Sequence, residues 1–103
     1  MGTVFHVLKE EYDRLVEADL MYSSKIELLP RGKPRIKRIK NAEYLYLNRR
    51  EGGKIVDEYV GRVDSAKALE IRALVEKRDQ LSEQQKQVRE RLTELAKVLR
   101  GKI

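Results

Sequence analysis

Residues 31–62, RGKPRIKRIKNAEYLYLNRREGGKIVDEYVGR, are the only part of this 103-residue chain in which apolar side chains recur at every second position. Alternation of this kind is typical of β-strands with one covered face. On both sides of this stretch, apolar residues recur instead at alternating spacings of three and four, the repeat of helices that pack along a seam. The sequence therefore predicts an α+β fold with an N-terminal helix, a three-stranded antiparallel β-meander and a long C-terminal helix.

The two helical repeats predict an antiparallel coiled coil formed by helices over residues 3–29 and 65–100. Asp19 and Arg78 lie at similar distances from the intervening sheet, so we expect them to form an ion pair that fixes the register. The first seam contains Phe5, Leu8, Tyr12, Leu15, Asp19, Tyr22, Ile26 and Leu29. The second contains Ile71, Leu74, Arg78, Leu81, Gln85, Val88, Leu92, Leu95 and Leu99.

The sheet is expected over residues 33–62, with turns at Lys40–Glu43 and Glu51–Lys54. The two glycines of the second turn accept the positive φ angles of a hairpin loop. This turn would place Asn48 opposite Asp57, Tyr46 opposite Tyr59, and Leu45 opposite Val60. One face of the sheet would then be rich in Leu and Val and pack on the helices, while the Tyr, Asn and Arg face would lie outside.

Composition gives little support for catalysis. The chain has no cysteine and one histidine, His6, and the glycines of residues 51–54 suit a turn, since a phosphate-binding loop is longer. The acids alternate with Lys and Arg along the helices, which is typical of solvated ion pairs. We expect a single non-enzymatic domain over residues 1–103, without a metal or cofactor.

The sequence also predicts a cytoplasmic protein. It contains no run of about 18 apolar residues, and its first residues do not combine a basic region with an apolar run. We therefore expect neither a membrane span nor a secretory signal. The absence of cysteine is compatible with a reducing compartment.

Charge gives the strongest functional signal. Residues 31–62 contain ten Lys or Arg and four acids, a net charge of +6 that equals the charge of the whole chain. Clustered cations attract the phosphate backbone of nucleic acids and release its counterions on binding. A β-ribbon fits the major groove, so we predict duplex DNA as the ligand. The alternative is that these cations only protect an edge strand from aggregation.

The candidate binding residues fall into two groups. Asn48 and Arg50 have the donor geometry that adenine and guanine edges accept, and they are the predicted base readers. The predicted phosphate contacts are Arg35, Lys37, Arg38 and Lys40. Tyr46 and Lys54 complete the site near the hairpin.

Specific motifs point in the same direction. Leu29-Pro30-Arg31-Gly32, the run Tyr44–Lys54 and Tyr59-Val60-Gly61 resemble short, mostly uncharacterised bacterial and archaeal proteins with a helix, a Y-x-YL-x-x-REGGK hairpin ending in Y-[IV]-G, and a charged final helix. The hairpin is also similar to the N-terminal DNA-binding arms of transposases and integrases. That similarity implies DNA contacts by Tyr46, Asn48, Arg50 and Lys54. The resemblance to small proteins of mobile-element or toxin–antitoxin loci implies a role as regulator or accessory factor of such a locus.

Two other functions remain open from the sequence. The coiled coil could serve as an antitoxin-like or structural module that binds a protein partner, with no role in nucleic-acid binding. The tyrosines could instead stack on RNA bases, although DNA is favoured over RNA. We also expect a homodimer, because the longer second helix would leave Leu95, Val98 and Leu99 without an intramolecular partner.

Overall fold

The structure is a computed structural model that describes residues 2–101. Its elements confirm the predicted order and the α+β class: α1 (Gly2–Glu27), β1 (Lys33–Ile39), β2 (Ala42–Glu51), β3 (Lys54–Arg62) and α2 (Ala66–Arg100). The chain forms two compact units, which are described in turn. The sheet unit comprises residues 29–79, and the helical unit comprises residues up to 28 together with residues from 80 onward. Within residues 2–101, no helix is long and apolar enough to cross a membrane.

In the sheet unit, the strands lie in the order β1-β2-β3 and both pairs are antiparallel. The second hairpin has the predicted register, with Asn48 opposite Asp57 and Tyr46 opposite Tyr59. The prediction that Leu45 pairs with Val60 is wrong, because the register shifts between Leu45 and Tyr46 and Leu45 lies opposite Gly61. This β-bulge adds one residue, Val60, to β3.

The first hairpin turns one residue earlier than predicted. Ile39 pairs with Ala42, so the loop consists of Lys40 and Asn41, and Lys40 adopts a positive φ of 58°. The difference shifts each β1–β2 pair by two positions and leaves every side chain on the same face, since side chains alternate along a strand. Arg35 lies opposite Tyr46, whereas Arg38 lies opposite Glu43 on the other face.

The core of the sheet unit confirms the predicted packing of the Leu and Val face. Leu45, Leu47 and Val60 are buried and cluster with Ala68 and Val75 of α2. Burying one such aliphatic side chain stabilises the fold by about 1.5–3 kcal/mol. Ser65 caps α2, because its Oγ accepts a hydrogen bond from the backbone N–H of Ala68 (3.2 Å). The opposite face of the sheet is therefore left outside this core.

The segment between α1 and β1 is held by Arg78. Its Nη1 donates hydrogen bonds to the carbonyl oxygens of Pro30 (2.9 Å) and Gly32 (2.8 Å). Helix α1 ends at Glu27, two residues before the predicted end, because proline disfavours helical geometry in the residue before it. Because Arg78 binds the backbone of this segment, the predicted Asp19–Arg78 ion pair is wrong.

The helical unit contains α1 and the C-terminal part of α2, which run antiparallel. Arg91 binds Glu11 (3.1 Å), whereas Gln85 and Arg89 bind Asp19 (3.1 and 2.8 Å), so positions ascend along one helix as they descend along the other. Gln85 is nearly buried and also donates to Ser23 (2.7 Å). Asp19 thus occupies the seam as predicted, with Gln85 and Arg89 as its partners.

The end of α2 that was expected to mediate a homodimer is partly covered within the single chain. Leu95 is only 2% exposed, although Val98 is 46% exposed. The first turns of α2, from Ala68 to Val75, contribute to the core of the sheet unit. The remainder, residues 80–100, is no longer than the 26-residue α1. The excess length of α2 is therefore at its N-terminal end, opposite to the end that was predicted.

Candidate nucleic-acid interface

We call the side of the sheet opposite the Leu45 core the tyrosine face. The strand register and side-chain alternation assign thirteen residues to it. They are Lys33, Arg35, Lys37 and Ile39 of β1, Ala42, Tyr44, Tyr46, Asn48 and Arg50 of β2, and Ile55, Asp57, Tyr59 and Arg62 of β3. The face carries five cations and a single acid, so its net charge is strongly positive.

An aromatic cluster occupies the middle of this face. The ring centroid of Tyr59 lies 5.4 Å from that of Tyr46, in an edge-to-face arrangement, and 6.1 Å from that of Tyr44. Tyr59 is 54% exposed, whereas Tyr44 and Tyr46 are half-buried. Contacts with two neighbouring rings hold Tyr59 in place while much of its surface stays open to a ligand.

Asp57 is the single acid on the face and is tied to two neighbours. It accepts a hydrogen bond from Nζ of Lys37 on Oδ2 (2.8 Å) and another from Nδ2 of Asn48 on Oδ1 (2.7 Å). These donors, Lys37 first, lower the pKa of Asp57 below its usual value. The ammonium of Lys37 also lies 4.4 Å from the ring centroid of Tyr46, a cation–π distance. Asp57 thus fixes Lys37 and Asn48 and neutralises one cation.

The remaining β1 and hairpin cations of the face have no such partner. Lys33, Arg35 and Arg50 are exposed and, within residues 2–101, form no ion pair and no side-chain hydrogen bond. Arg62, also exposed, lies 3.6 Å from Asp64. Three cations are therefore available to an anionic ligand beside the tyrosine rings.

The opposite side of the same hairpin shows the contrast. Arg49 lies 2.6 Å from Glu58 and 3.5 Å from Glu51, and its side chain is only 20% exposed. The hydrogen bond with Glu58 raises the pKa of Arg49. Arg49 and Arg50 are neighbours in sequence, but only Arg50 is free to contact a partner.

The structure brings together five of the eight residues predicted to bind nucleic acid. These five residues share the tyrosine face: Arg35, Lys37, Tyr46, Asn48 and Arg50. Arg38 lies on the opposite face, and Lys40 and Lys54 lie at the two turns, at opposite ends of β2. The ten residues of β2 span about 30 Å, so the two turn lysines cannot belong to one compact site with each other.

Sequence reasoning omitted several residues that share this face. The Glu51–Lys54 turn placed Tyr44, Tyr59 and Asp57 on this face, but they were not included among the predicted binding residues. Lys33 follows from alternation along β1, because the predicted and the observed first turn both pair odd-numbered residues of β1 with even-numbered residues of β2. No group of three potential metal ligands occurs among residues 2–101.

Comparison with known proteins identifies the family. Residues 5–70 match the model of a domain of unknown function, DUF6788, and the chain belongs to this family. The matched region contains all three strands, so the entire tyrosine face lies inside the family domain. No curated protein and no solved structure matches the chain.

Proposed function

We propose that this protein binds nucleic acid through the tyrosine face, without catalysing a reaction. The observation that carries the proposal is the group of exposed, unpaired cations, Lys33, Arg35 and Arg50, beside an exposed aromatic cluster. Cations bind phosphates without sequence preference, and aromatic rings interact with bases. This combination suits a nucleic acid better than it suits an acidic protein, which offers no bases.

The distribution of charge between the units supports the same function. The sheet unit has 14 Lys or Arg and 8 acids, so it carries the whole net charge of +6. Within residues 2–28 and 80–101, the helical unit has eight Lys or Arg and nine acids, so it carries no positive net charge. A protein whose positive charge served only solubility would gain nothing from confining it to one unit. A confined positive surface attracts a polyanion and accelerates its association.

The biological role that the sequence suggests is that of a regulator or accessory factor of a mobile-element or toxin–antitoxin locus. From the sequence alone, duplex DNA is the ligand expected in that role. The tyrosine face would contact the phosphate backbone, and each neutralised phosphate would release counterions.

Charge substitutions at matched positions test the proposal. In one variant, Lys33, Arg35 and Arg50 are all replaced by Gln; in the control, Arg38, Lys40 and Lys54 of the same unit are replaced by Gln. Both variants lose three positive charges from the sheet unit. Binding to fluorescein-labelled single-stranded and duplex DNA is measured by anisotropy at about 50 mM salt, where electrostatic contacts are strong.

We expect the tyrosine-face variant to bind about tenfold more weakly or worse, because three phosphates are no longer neutralised. The control should bind within about threefold of the wild type, because its cations lie off the face. Absence of binding by the wild-type protein to either DNA, or equal weakening in both variants, would contradict the proposal. Thermal unfolding of each variant checks that the sheet remains folded.

A second candidate function is protein binding through the helical unit. Several apolar side chains of α1 are exposed, among them Val4 (66%), Leu20 (63%) and Val7 (56%). Such residues can form part of an interface with a partner helix. Light scattering of the wild type and of Leu20→Glu would reveal self-association that depends on this surface. A monomer mass for both proteins at all concentrations would remove a second copy of the chain as that partner.

A further inference from the structure

The tyrosine face has features that discriminate between forms of nucleic acid. In a duplex, the bases are stacked on one another and present only their edges in the grooves. In a single strand, the bases can be splayed out and stacked on aromatic side chains. Only an unpaired strand can therefore stack a base on an exposed ring at the centre of a basic surface.

Tyr59 is the ring that best fits this use. It is the most exposed of the three tyrosines on the face, and its neighbours Tyr44 and Tyr46 support it from within the sheet. Tyr46 is less available, because the ammonium of Lys37 lies over its ring at 4.4 Å. A base stacked on Tyr59 would cover apolar ring surface that lies outside the core of the sheet unit.

The polar groups on the face argue against base reading in a duplex. An asparagine reads adenine with its amide nitrogen and oxygen together. Nδ2 of Asn48 already donates to Asp57 (2.7 Å), which orients the amide along the face. The carboxylate of Asp57, which holds this amide, is itself paired with Lys37 (2.8 Å). Stacking on Tyr59 does not depend on either group.

The unpaired cations suit a strand that crosses the face. Lys33 and Arg35 lie two residues apart on β1, which places their Cα atoms about 7 Å apart. Arg50 lies near the end of β2, beyond Asn48, which is the residue paired with Lys33. Arg35 lies level with Tyr59 across the strands, and Lys33 and Arg50 lie toward the Glu51–Lys54 turn, so phosphates on that side of a stacked base could find a cation.

We propose, on the basis of the nucleic-acid function above, that the tyrosine face is selective for single-stranded nucleic acid. One base stacks on Tyr59, while Lys33, Arg35 and Arg50 contact neighbouring phosphates. Asp57 orients Lys37 and Asn48 at the border of the stacking site. Because stacking accepts every base, binding should have little sequence preference.

Tyr59→Trp provides a direct probe of stacking, because the chain contains no tryptophan. The full-length variant is titrated with an unlabelled thymidine oligonucleotide of about 12 nucleotides, a length within the range of single-strand binding sites. A duplex of the same length is titrated in parallel. We expect the single strand to quench the tryptophan fluorescence strongly and the duplex to leave it nearly unchanged.

Affinities then separate ring stacking from apolar contact. Tyr59→Leu keeps an apolar side chain but removes the ring, so single-strand binding should weaken about tenfold, within the range measured for loss of one stacked base. Tyr59→Phe should bind within about twofold of the wild type, because a phenyl ring also stacks. Ile55→Ala is the control, because Ile55 is exposed on the same face and has no ring.

The outcomes distinguish this inference from the proposed function. If the duplex binds as tightly as the single strand, or if Tyr59→Leu binds as well as the wild type, the single-strand inference is overturned and nucleic-acid binding stands. If neither form binds the wild-type protein, both proposals fail. Preferential single-strand binding that depends on the ring of Tyr59 supports both.

Discussion

The cations of the helical unit and those of the sheet unit have different surroundings. In the helical unit, Arg89 contacts Asp19 and Arg91 contacts Glu11, and both pairs join α1 to α2. In the sheet unit, Lys33, Arg35 and Arg50 contact no acid among the residues that the structure describes. In the helical unit these two cations join the helices, whereas in the sheet unit these three stay exposed on one face.

The cores of the two units differ in a related way. Leu45, Leu47 and Val60 form an apolar core in the sheet unit. The seam of the helical unit instead contains a polar group formed by Asp19, Ser23 and Gln85. Apolar packing gives the sheet its stability, whereas a hydrogen-bonded group within a seam specifies register. The sheet can therefore present a charged outer face because its stability comes from the other side.

The largest effect is expected from Leu45→Ala, because Leu45 is fully buried in the sheet unit. Removing such a side chain costs about 2–5 kcal/mol of unfolding free energy. Amide hydrogen exchange should show reduced protection in the strands and at residues 66–79, and urea unfolding should report the free energy. Ile55→Ala, at an exposed site of the same sheet, should change stability by less than about 0.5 kcal/mol. Equal effects of the two substitutions would contradict the assignment of the faces.

Gly32→Ala should have the next largest effect. Gly32 has a φ of 114°, and an added Cβ would lie 3.1 Å from the carbonyl oxygen of Asn48 and 3.2 Å from Cβ of Leu47. We expect a loss of roughly 1–3 kcal/mol, measured by thermal unfolding, because the backbone is strained and the site is crowded. Gly101→Ala is the control, since its Cβ would meet only ordinary contacts, and it should leave the melting temperature nearly unchanged. A melting temperature of Gly32→Ala equal to that of Gly101→Ala would refute this account.

Gln85→Ala tests the polar group of the helical unit. The substitution removes the donor to Asp19 and Ser23 at a nearly buried site. We expect a loss of about 1–2 kcal/mol in urea unfolding, because partly buried acceptors lose their partner. Gln84→Ala is a matched control at the adjacent exposed position and should be nearly silent. Nucleic-acid affinity should stay unchanged in both variants. Weaker binding by Gln85→Ala would contradict the view that the sheet unit binds nucleic acid without the helical unit.

The smallest effect concerns Asp57 and pH. Hydrogen bonds from Lys37 and then Asn48 lower the pKa of Asp57 below 3.8, so the folded protein favours the carboxylate. Its contribution to stability is present above the pKa of the unfolded chain and is lost as pH falls through the folded pKa. Lys37→Gln should raise the pKa of Asp57, measured by carboxyl NMR titration, whereas Lys54→Gln should leave it unchanged. An unaltered titration in Lys37→Gln would show that the ion pair does not persist in solution.

The fold was predictable because the periodicity of apolar residues predicts which side chains are buried. All seam positions predicted in α2, from Ile71 to Leu99, are buried or half-buried. The prediction of an Asp19–Arg78 pair was wrong because it assumed that the two helices pair along their whole length. Part of α2 contributes to the sheet core instead. The amphipathic repeat does not reveal this, because it is the same whether a helix packs on a sheet or on another helix.

The site was less predictable because the clustering of cations in the sequence does not by itself show which of them share a face or pair with acids. The Glu51–Lys54 turn has two glycines and was placed correctly, which located Tyr46, Asn48 and Arg50. The first turn has Lys40 at a positive φ, a conformation that is uncommon outside glycine and asparagine, so no residue marked its position. Moving this turn by one residue shifts every β1–β2 pair by two positions, which leaves each side chain on the same face. Alternation along β1 could therefore have placed Lys33 on the tyrosine face and Arg38 on the other.

The salt dependence of nucleic-acid binding tests the central contrast most directly. Lys33, Arg35 and Arg50 are changed together to Gln in one variant, and the exposed Arg14, Lys25 and Lys86 of the helical unit are changed together to Gln in another. The two variants have the same net charge. The slope of log affinity against log salt concentration falls by about 0.7–0.9 for each phosphate that the protein no longer neutralises. We predict a fall of about 2–3 for the tyrosine-face variant and an unchanged slope for the helical variant. The same fall in both variants would show that binding follows net charge alone and would contradict a specific role for the tyrosine face.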